Sequence, residues 1–180
     1  LNILNKLYND ELRNAMTWLS IKPRTIFLGQ AVCYAGTGLY DTLSHLPAEK
    51  RLEFPVAENL QMGYSTGLAL GGMVPISTFP RWNFLLCGAD QLVNHLDKLE
   101  AMSNGGYCPK VIIRVASGSG YPIDPQQQHV GDFSDAFRMM CRNIDIVGLH
   151  THEDIMPAYQ AAWSSNRSTI LVEYPDYGKK

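Results

Sequence analysis

Short apolar runs rich in β-branched residues, separated by longer stretches with helical spacing, constrain this chain more than any other feature. Residues 111–115, Val-Ile-Ile-Arg-Val, form the clearest such run, 25–28, 74–79, 144–147 and 169–173 read the same way, and 51–54 reads as a further short strand. Between them the spacing predicts helices over 39–46, 59–71, 84–102, 134–140 and 153–163. An amphipathic helix marked by Leu4, Leu7, Leu12, Met16 and Leu19 precedes them. Stop signals agree, because Pro23, Pro47 and the Gly105–Gly106 pair each close a helical stretch. Strands joined by helical crossovers pair in parallel. The expected fold class is therefore α/β, a single three-layer domain whose mostly parallel sheet is covered on both faces.

A length of 180 residues suits one such domain, here residues 1–180. With a formal charge of −2 there is no basic footprint, so no nucleic acid partner is expected. No membrane span is expected either: the longest apolar stretch, 63–76, is broken by Ser65, Thr66 and glycines at 63, 67, 71 and 72. The first twenty residues read as an amphipathic helix rather than a signal peptide. Cys33, Cys87, Cys108 and Cys141 are far apart and form no C-x-x-C pair. Reduced thiols in a cytoplasmic protein, or in an organelle matrix if the source is eukaryotic, are the expectation.

Three segments carry candidate chemistry. The loop Ser117-Gly118-Ser119-Gly120 follows a strand, but Pro122 and Pro125 come next and no helix opens there. Without a helix start or a P-loop lysine, a phosphate cradle is disfavoured. His150 and His152 could chelate a metal, yet Thr151 with Asp154 has the spacing of a helix N-cap and its reciprocal acid, which is the preferred reading. Glu58 follows a strand and the apolar stretch Phe54-Pro55-Val56-Ala57, where ligands meet open α/β sheets. Behind it Gly63, Gly67 and Gly71 recur every fourth residue. They are expected to share one bare helix face that another backbone, from a partner or a second copy, can approach closely.

Glu58, Gly63-Tyr64 and Gly67-Leu68 together resemble the pyrimidine-binding (Pyr) domain of thiamine diphosphate enzymes. From residue 54 to 91 the chain is similar to the beta subunit of the decarboxylating component of 2-oxo acid dehydrogenases. The shared order is Pro55 to Glu58, the glycine helix, the Pro75-led strand, an aromatic segment to Phe84, and Asp90-Gln91. Arg114, the loop from Ser117, and Gln128-His129 follow in the family's order.

The resemblance implies a Pyr-type subunit or fragment of a split thiamine diphosphate enzyme that decarboxylates a 2-oxo acid and passes on the acyl or aldehyde unit. Transketolase-type ketol transfer and a non-catalytic assembly module are the alternatives. It implies catalytic roles for Glu58, which would hydrogen-bond N1′ of the aminopyrimidine, and for His129, near the reacting carbon. Phe84 would stack on the pyrimidine. Gln30 stands in the cofactor-facing loop where the family commonly has an acid, and an amide does not titrate. No Gly-Asp-Gly motif is present. The resemblance therefore implies that the diphosphate-binding and C-terminal transketolase-like domains are absent here. An alpha-type diphosphate-binding partner subunit would hold the diphosphate and its Mg2+, in a homo- or hetero-oligomer.

Overall fold

The computed structural model describes residues 3–118, 120 and 124–176. The expected strands all form: β1 (Thr25–Gly29), β2 (Arg51–Glu53), β3 (Val74–Phe79), β4 (Ile112–Ala116), β5 (Ile144–Leu149) and β6 (Ser168–Glu173). They make one six-stranded sheet, ordered β2-β1-β3-β4-β6-β5, in which every pairing is parallel. Each pairing is parallel because the chain returns by a crossover before the next strand begins.

Period-two alternation sorts the strand residues between two cores. Phe27, Ile76, Ile112 and Leu171 face α1 (Ile3–Ser20) and α7 (His152–Ser164), together with Leu12, Met16, Ile155 and Tyr159. Ile113, Val115, Ile170 and Val172 face the opposite layer with Met62, Trp82, Leu92 and Phe137. Those residues come from α3 (Glu58–Leu70), the segment after β3, and α6 (Ser134–Met140).

Three helical expectations are corrected. The buried stripe of α1 runs through Tyr8, Leu12, Ala15, Met16 and Leu19, whereas Leu4 and Leu7 are exposed. Tyr8 takes the inner position because its hydroxyl donates to the Leu149 carbonyl at 2.7 Å and accepts from Tyr174 N–H. The single helix expected over 84–102 is broken into α4 (Trp82–Leu85), a 3₁₀ turn at 86–88, a π-helical turn at 91–96 and α5 (Leu99–Met102). Tertiary contacts at both ends explain the break. Gly88 lies so close to α3 that a Cβ there would meet Met62 Cγ at 3.0 Å and the Glu58 carbonyl at 3.1 Å. Asp97, fully buried, accepts from Arg142 N–H at 2.9 Å and Asn143 N–H at 2.7 Å. The helix between these anchors changes its winding to satisfy both. The helix expected over 39–46 is shorter, α2 (Gly38–Leu43), with Thr37 as its N-cap.

The three glycines of α3 do not share one open face. A Cβ on Gly63 would meet Gln91 Oε1 at 3.2 Å, so that glycine serves packing within the chain. Gly67 has nothing within 4 Å, and Gly71 is the helix C-cap. Beside Gly67 the surface is apolar, with Leu60, Tyr64 and Leu70 exposed.

Candidate functional site

The carboxyl ends of β1, β2 and β3 lie level, with Gly29 opposite both Glu53 and Thr78. This ledge places the loops that carry the expected site. Gly29 adopts φ 150°, and a Cβ there would fall 2.3 Å from the Thr78 carbonyl, so only glycine lets the chain turn off β1. Gln30 follows, half-buried, in a loop fastened by Glu53, whose carboxylate accepts from Ala31 N–H and Cys33 N–H, both at 2.7 Å. Sequence reasoning passed over Glu53. Its partners are backbone donors about twenty residues away, which no motif records.

From Glu53 the chain crosses Pro55 and Val56 and opens α3 at Glu58. No side chain caps that helix end, so its first N–H groups leave a positive potential beside the carboxylate. Glu58 is half-buried rather than enclosed, next to exposed Val56, and makes no side-chain hydrogen bond among the described residues. The helix is locked in place one turn on, where Gln61 Nε2 donates to Ser77 Oγ and to the Thr78 carbonyl, each at 3.0 Å.

Phe84 projects from α4, directly before the turn in which Gly88 contacts the Glu58 backbone. Its ring meets the His129 ring, with centroids 5.1 Å apart and planes tilted by 49°. The loop bearing His129 is held by Arg81, whose Nη1 donates to the His129 carbonyl at 3.0 Å. His129 Nδ1 is buried with no hydrogen-bond partner among the described residues. The structure thus brings Phe84 and His129 into contact and sets Glu58 on the adjoining helix end. Gln30 is on a separate loop, without a side-chain hydrogen bond to any of the three among the described residues.

These residues fit the ring half of thiamine diphosphate. An unpartnered carboxylate can bond a ring nitrogen, an aromatic face can stack on a flat heterocycle, and an orphaned imidazole nitrogen is left to bond a ligand. Among the described residues no cluster of three His, Cys, Asp or Glu could hold a cation, and Gly120 N–H is taken up by Asp176 at 2.8 Å. Ser119, in the same loop, lies outside the described residues. At 150–154 the cap reading holds: Thr151 N–H donates to Asp154 at 2.8 Å in a capping box, and His150 stacks on Tyr174.

Alongside, at the carboxyl ends of β4 and β6, sits a buried ion pair. Arg114 donates through Nε to Glu173 Oε1 at 2.7 Å and through Nη2 to Oε2 at 3.1 Å and to Thr42 Oγ1 at 3.2 Å. Tyr159 donates to the same carboxylate at 2.8 Å. Burial opposes the Arg114 charge, but the Glu173 carboxylate outweighs it and holds the guanidinium's pKa up. Burial, reinforced by the Glu173 charge, pushes the Tyr159 hydroxyl well above its ordinary range.

No family model matches the chain. The chain is 31% identical over 119 residues to the mitochondrial beta subunit of the pyruvate dehydrogenase E1 component of Ascaris suum, covering 66% of this chain and 32% of that protein. It is 26% identical over 170 residues to the corresponding subunit of Gracilaria tenuistipitata var. liui, covering 92% of this chain and 51% of that one. It thus spans about a third to a half of the length of these curated relatives. Among solved structures, an inactive beta4 tetramer of a split-gene transketolase superposes with a TM-score of 0.70 over 94% of this chain and 50% of that one, at 13% identity. The chain is a distant homologue of the beta subunits of pyruvate and related 2-oxo acid dehydrogenases, with the Pyr-domain fold of the thiamine diphosphate enzymes.

Proposed function

We propose that this chain is the pyrimidine-binding half of a split thiamine diphosphate enzyme that decarboxylates a 2-oxo acid and transfers the acyl or aldehyde unit. The single observation that carries the reading is Glu58, a carboxylate opening a helix at the sheet's carboxyl ledge, with no side-chain hydrogen bond among the described residues, on a helix whose first turn packs against Gly88, four residues after Phe84. When bound, the cofactor supplies an acidic C2–H whose loss starts the chemistry. Glu58 holds a proton against N1′ of the aminopyrimidine, Phe84 orients the ring by stacking, and His129 stands ready to move a proton near the reacting carbon. Gln30 contacts the cofactor without relaying protons.

The diphosphate, with its Mg2+, is held by an alpha-type subunit on a separate chain, in cytoplasm or organelle matrix. Residues 1–180 form one Pyr-type domain in that assembly, and the apolar surface around Gly67 is available for it. That a split-gene transketolase beta chain forms an inactive tetramer supports a requirement for the second subunit. No helix among the described residues is long and apolar enough to cross a membrane.

Glu58→Gln, assembled with the diphosphate-binding subunit, tests the reading. Glutamine fills the same space but cannot share a proton with N1′, so cofactor binding is retained. Hydrogen–deuterium exchange at C2 of the bound cofactor, followed by NMR, is expected to slow about 10²- to 10⁴-fold. Exchange at the wild-type rate would reduce Glu58 to a helix-start acid and leave the assembly-module reading in its place.

A further inference from the structure

The turn off β1 is fixed almost bond by bond from the segment that forms and follows β2. Phe54 N–H donates to the Gly29 carbonyl at 2.9 Å, and Arg51 Nη1 donates to the Val32 carbonyl at 3.4 Å. Glu53 accepts from Ala31 N–H through Oε1 and from Cys33 N–H through Oε2, both at 2.7 Å. Those two bonds are charge-assisted and occupy both carboxylate oxygens, so they set the turn more firmly than the Arg51 contact does. Between them Ala31 sits at φ 61°, a left-handed conformation that a residue with a Cβ keeps only where its surroundings over-determine it. Backbone strain held in this way clusters at ligand clamps, where it fixes a contact in advance.

Residues 51, 53 and 54 thus pin the main chain at 29, 31, 32 and 33, on either side of Gln30. We propose that Glu53 is a positioning residue: through Ala31 and Cys33 it holds the Gln30 amide where it bonds the pyrimidine ring, and so sets how tightly the ring half of the cofactor is held. This rests on the reading above, in which Gln30 contacts the cofactor. The amide carries a donor and an acceptor in one plane, and the aminopyrimidine carries both as well. A turn already in its bound shape spares the ordering cost of binding. Glu53 takes no part in moving a proton, so its contribution falls equally on the ground state and the transition state.

The carboxylate is needed because two main-chain donors require two acceptor atoms. Glutamine at 53 keeps one acceptor and turns an NH2 group toward the other N–H, so Glu53→Gln releases one end of the turn.

The experiment titrates the full chain, assembled with the diphosphate-binding subunit, with thiamine diphosphate at fixed Mg2+ by calorimetry; the isolated chains are compared by 1H–15N NMR. Glu53→Gln is expected to keep the folded amide pattern, with changes confined to residues 29–33 and their neighbours, and to raise Kd about tenfold. C2 exchange of the bound cofactor at saturation is expected to stay within about twofold of wild type, because only binding is lost. Gln30→Ala is expected to raise Kd about tenfold as well. Because Glu53 acts through Gln30, the double variant is expected to stay within about twofold of Gln30→Ala, whereas independent effects would multiply to about a hundredfold. An unchanged Kd in either single variant, multiplied losses in the double variant, or slowed exchange in Glu53→Gln would overturn the assignment. So would loss of the folded spectrum in Glu53→Gln, which would make Glu53 a residue of the fold alone. A wild-type complex that binds no thiamine diphosphate would instead sink the reading of the site itself.

Discussion

Glu173 and Glu58 are the same residue type at the carboxyl ends of strands or just beyond them, and their situations are opposite. Glu173 is 5% exposed and accepts from Arg114 and from Tyr159 inside the chain. Glu58 is half-buried and accepts from no side chain among the described residues. The first carboxylate has its partners built in, so its charge is committed to holding this domain together. The second is positioned by its helix and has no side-chain hydrogen bond among the described residues.

The contrast breaks most readily at the buried pair. Glu173→Ala strands the Arg114 charge in a dry interior, and loss of one member of such a pair costs about 3–5 kcal/mol. Urea denaturation followed by circular dichroism is expected to show a loss of that size; a change below about 1 kcal/mol would mean the network is solvated.

An intermediate case sharpens it. Asp132 lies in the loop bearing His129 and accepts from Ser134 N–H at 2.9 Å and the Tyr174 hydroxyl at 2.6 Å. Burial favours its neutral form, but the Ser134 and Tyr174 donors reverse that and hold its pKa below the ordinary carboxylate value. Its contribution is therefore complete above the ordinary carboxylate range and is lost as pH falls through the lowered folded value. Asp132→Asn is expected to flatten the acid limb of the stability–pH curve, measured by denaturant melts between neutral pH and acid. An unchanged limb would show that the loop is not anchored there.

At the smallest end, Glu58→Ala is expected to leave stability within about 0.5 kcal/mol of wild type, the range of surface substitutions away from special features. A large loss in the same denaturation assay would place Glu58 with Glu173 and erase the contrast.

Much of this was legible in the sequence. Residues 111–115 announced the central strand, and the Thr151–Asp154 spacing announced a capping box now present. Glu58 stands out by its place after a strand, Phe84 and His129 by resemblance alone, and the fold brings the rings of the last two together. What could not be read depends on contacts distant in sequence. Nothing in the apolar rhythm of 84–102 reveals that Gly88 must clear the Glu58 carbonyl while Asp97 holds residues 142 and 143. Glu53 was missed for the same reason: its donors are main-chain N–H groups that carry no residue-type signal. The stripe on α1 was misplaced because Tyr8 reads as polar until its hydroxyl finds Leu149.

The strand order has a consequence for synthesis. β5 pairs only with β6, which is made after it and inserts between β4 and β5. While the ribosome works through α7, β5 has no neighbour to hydrogen-bond, and Tyr8 at the other end of the chain still lacks Tyr174 N–H. The nascent domain therefore emerges with an open half-sheet until β6 is made. That interval is when it is most exposed to wrong pairings and most in need of a chaperone.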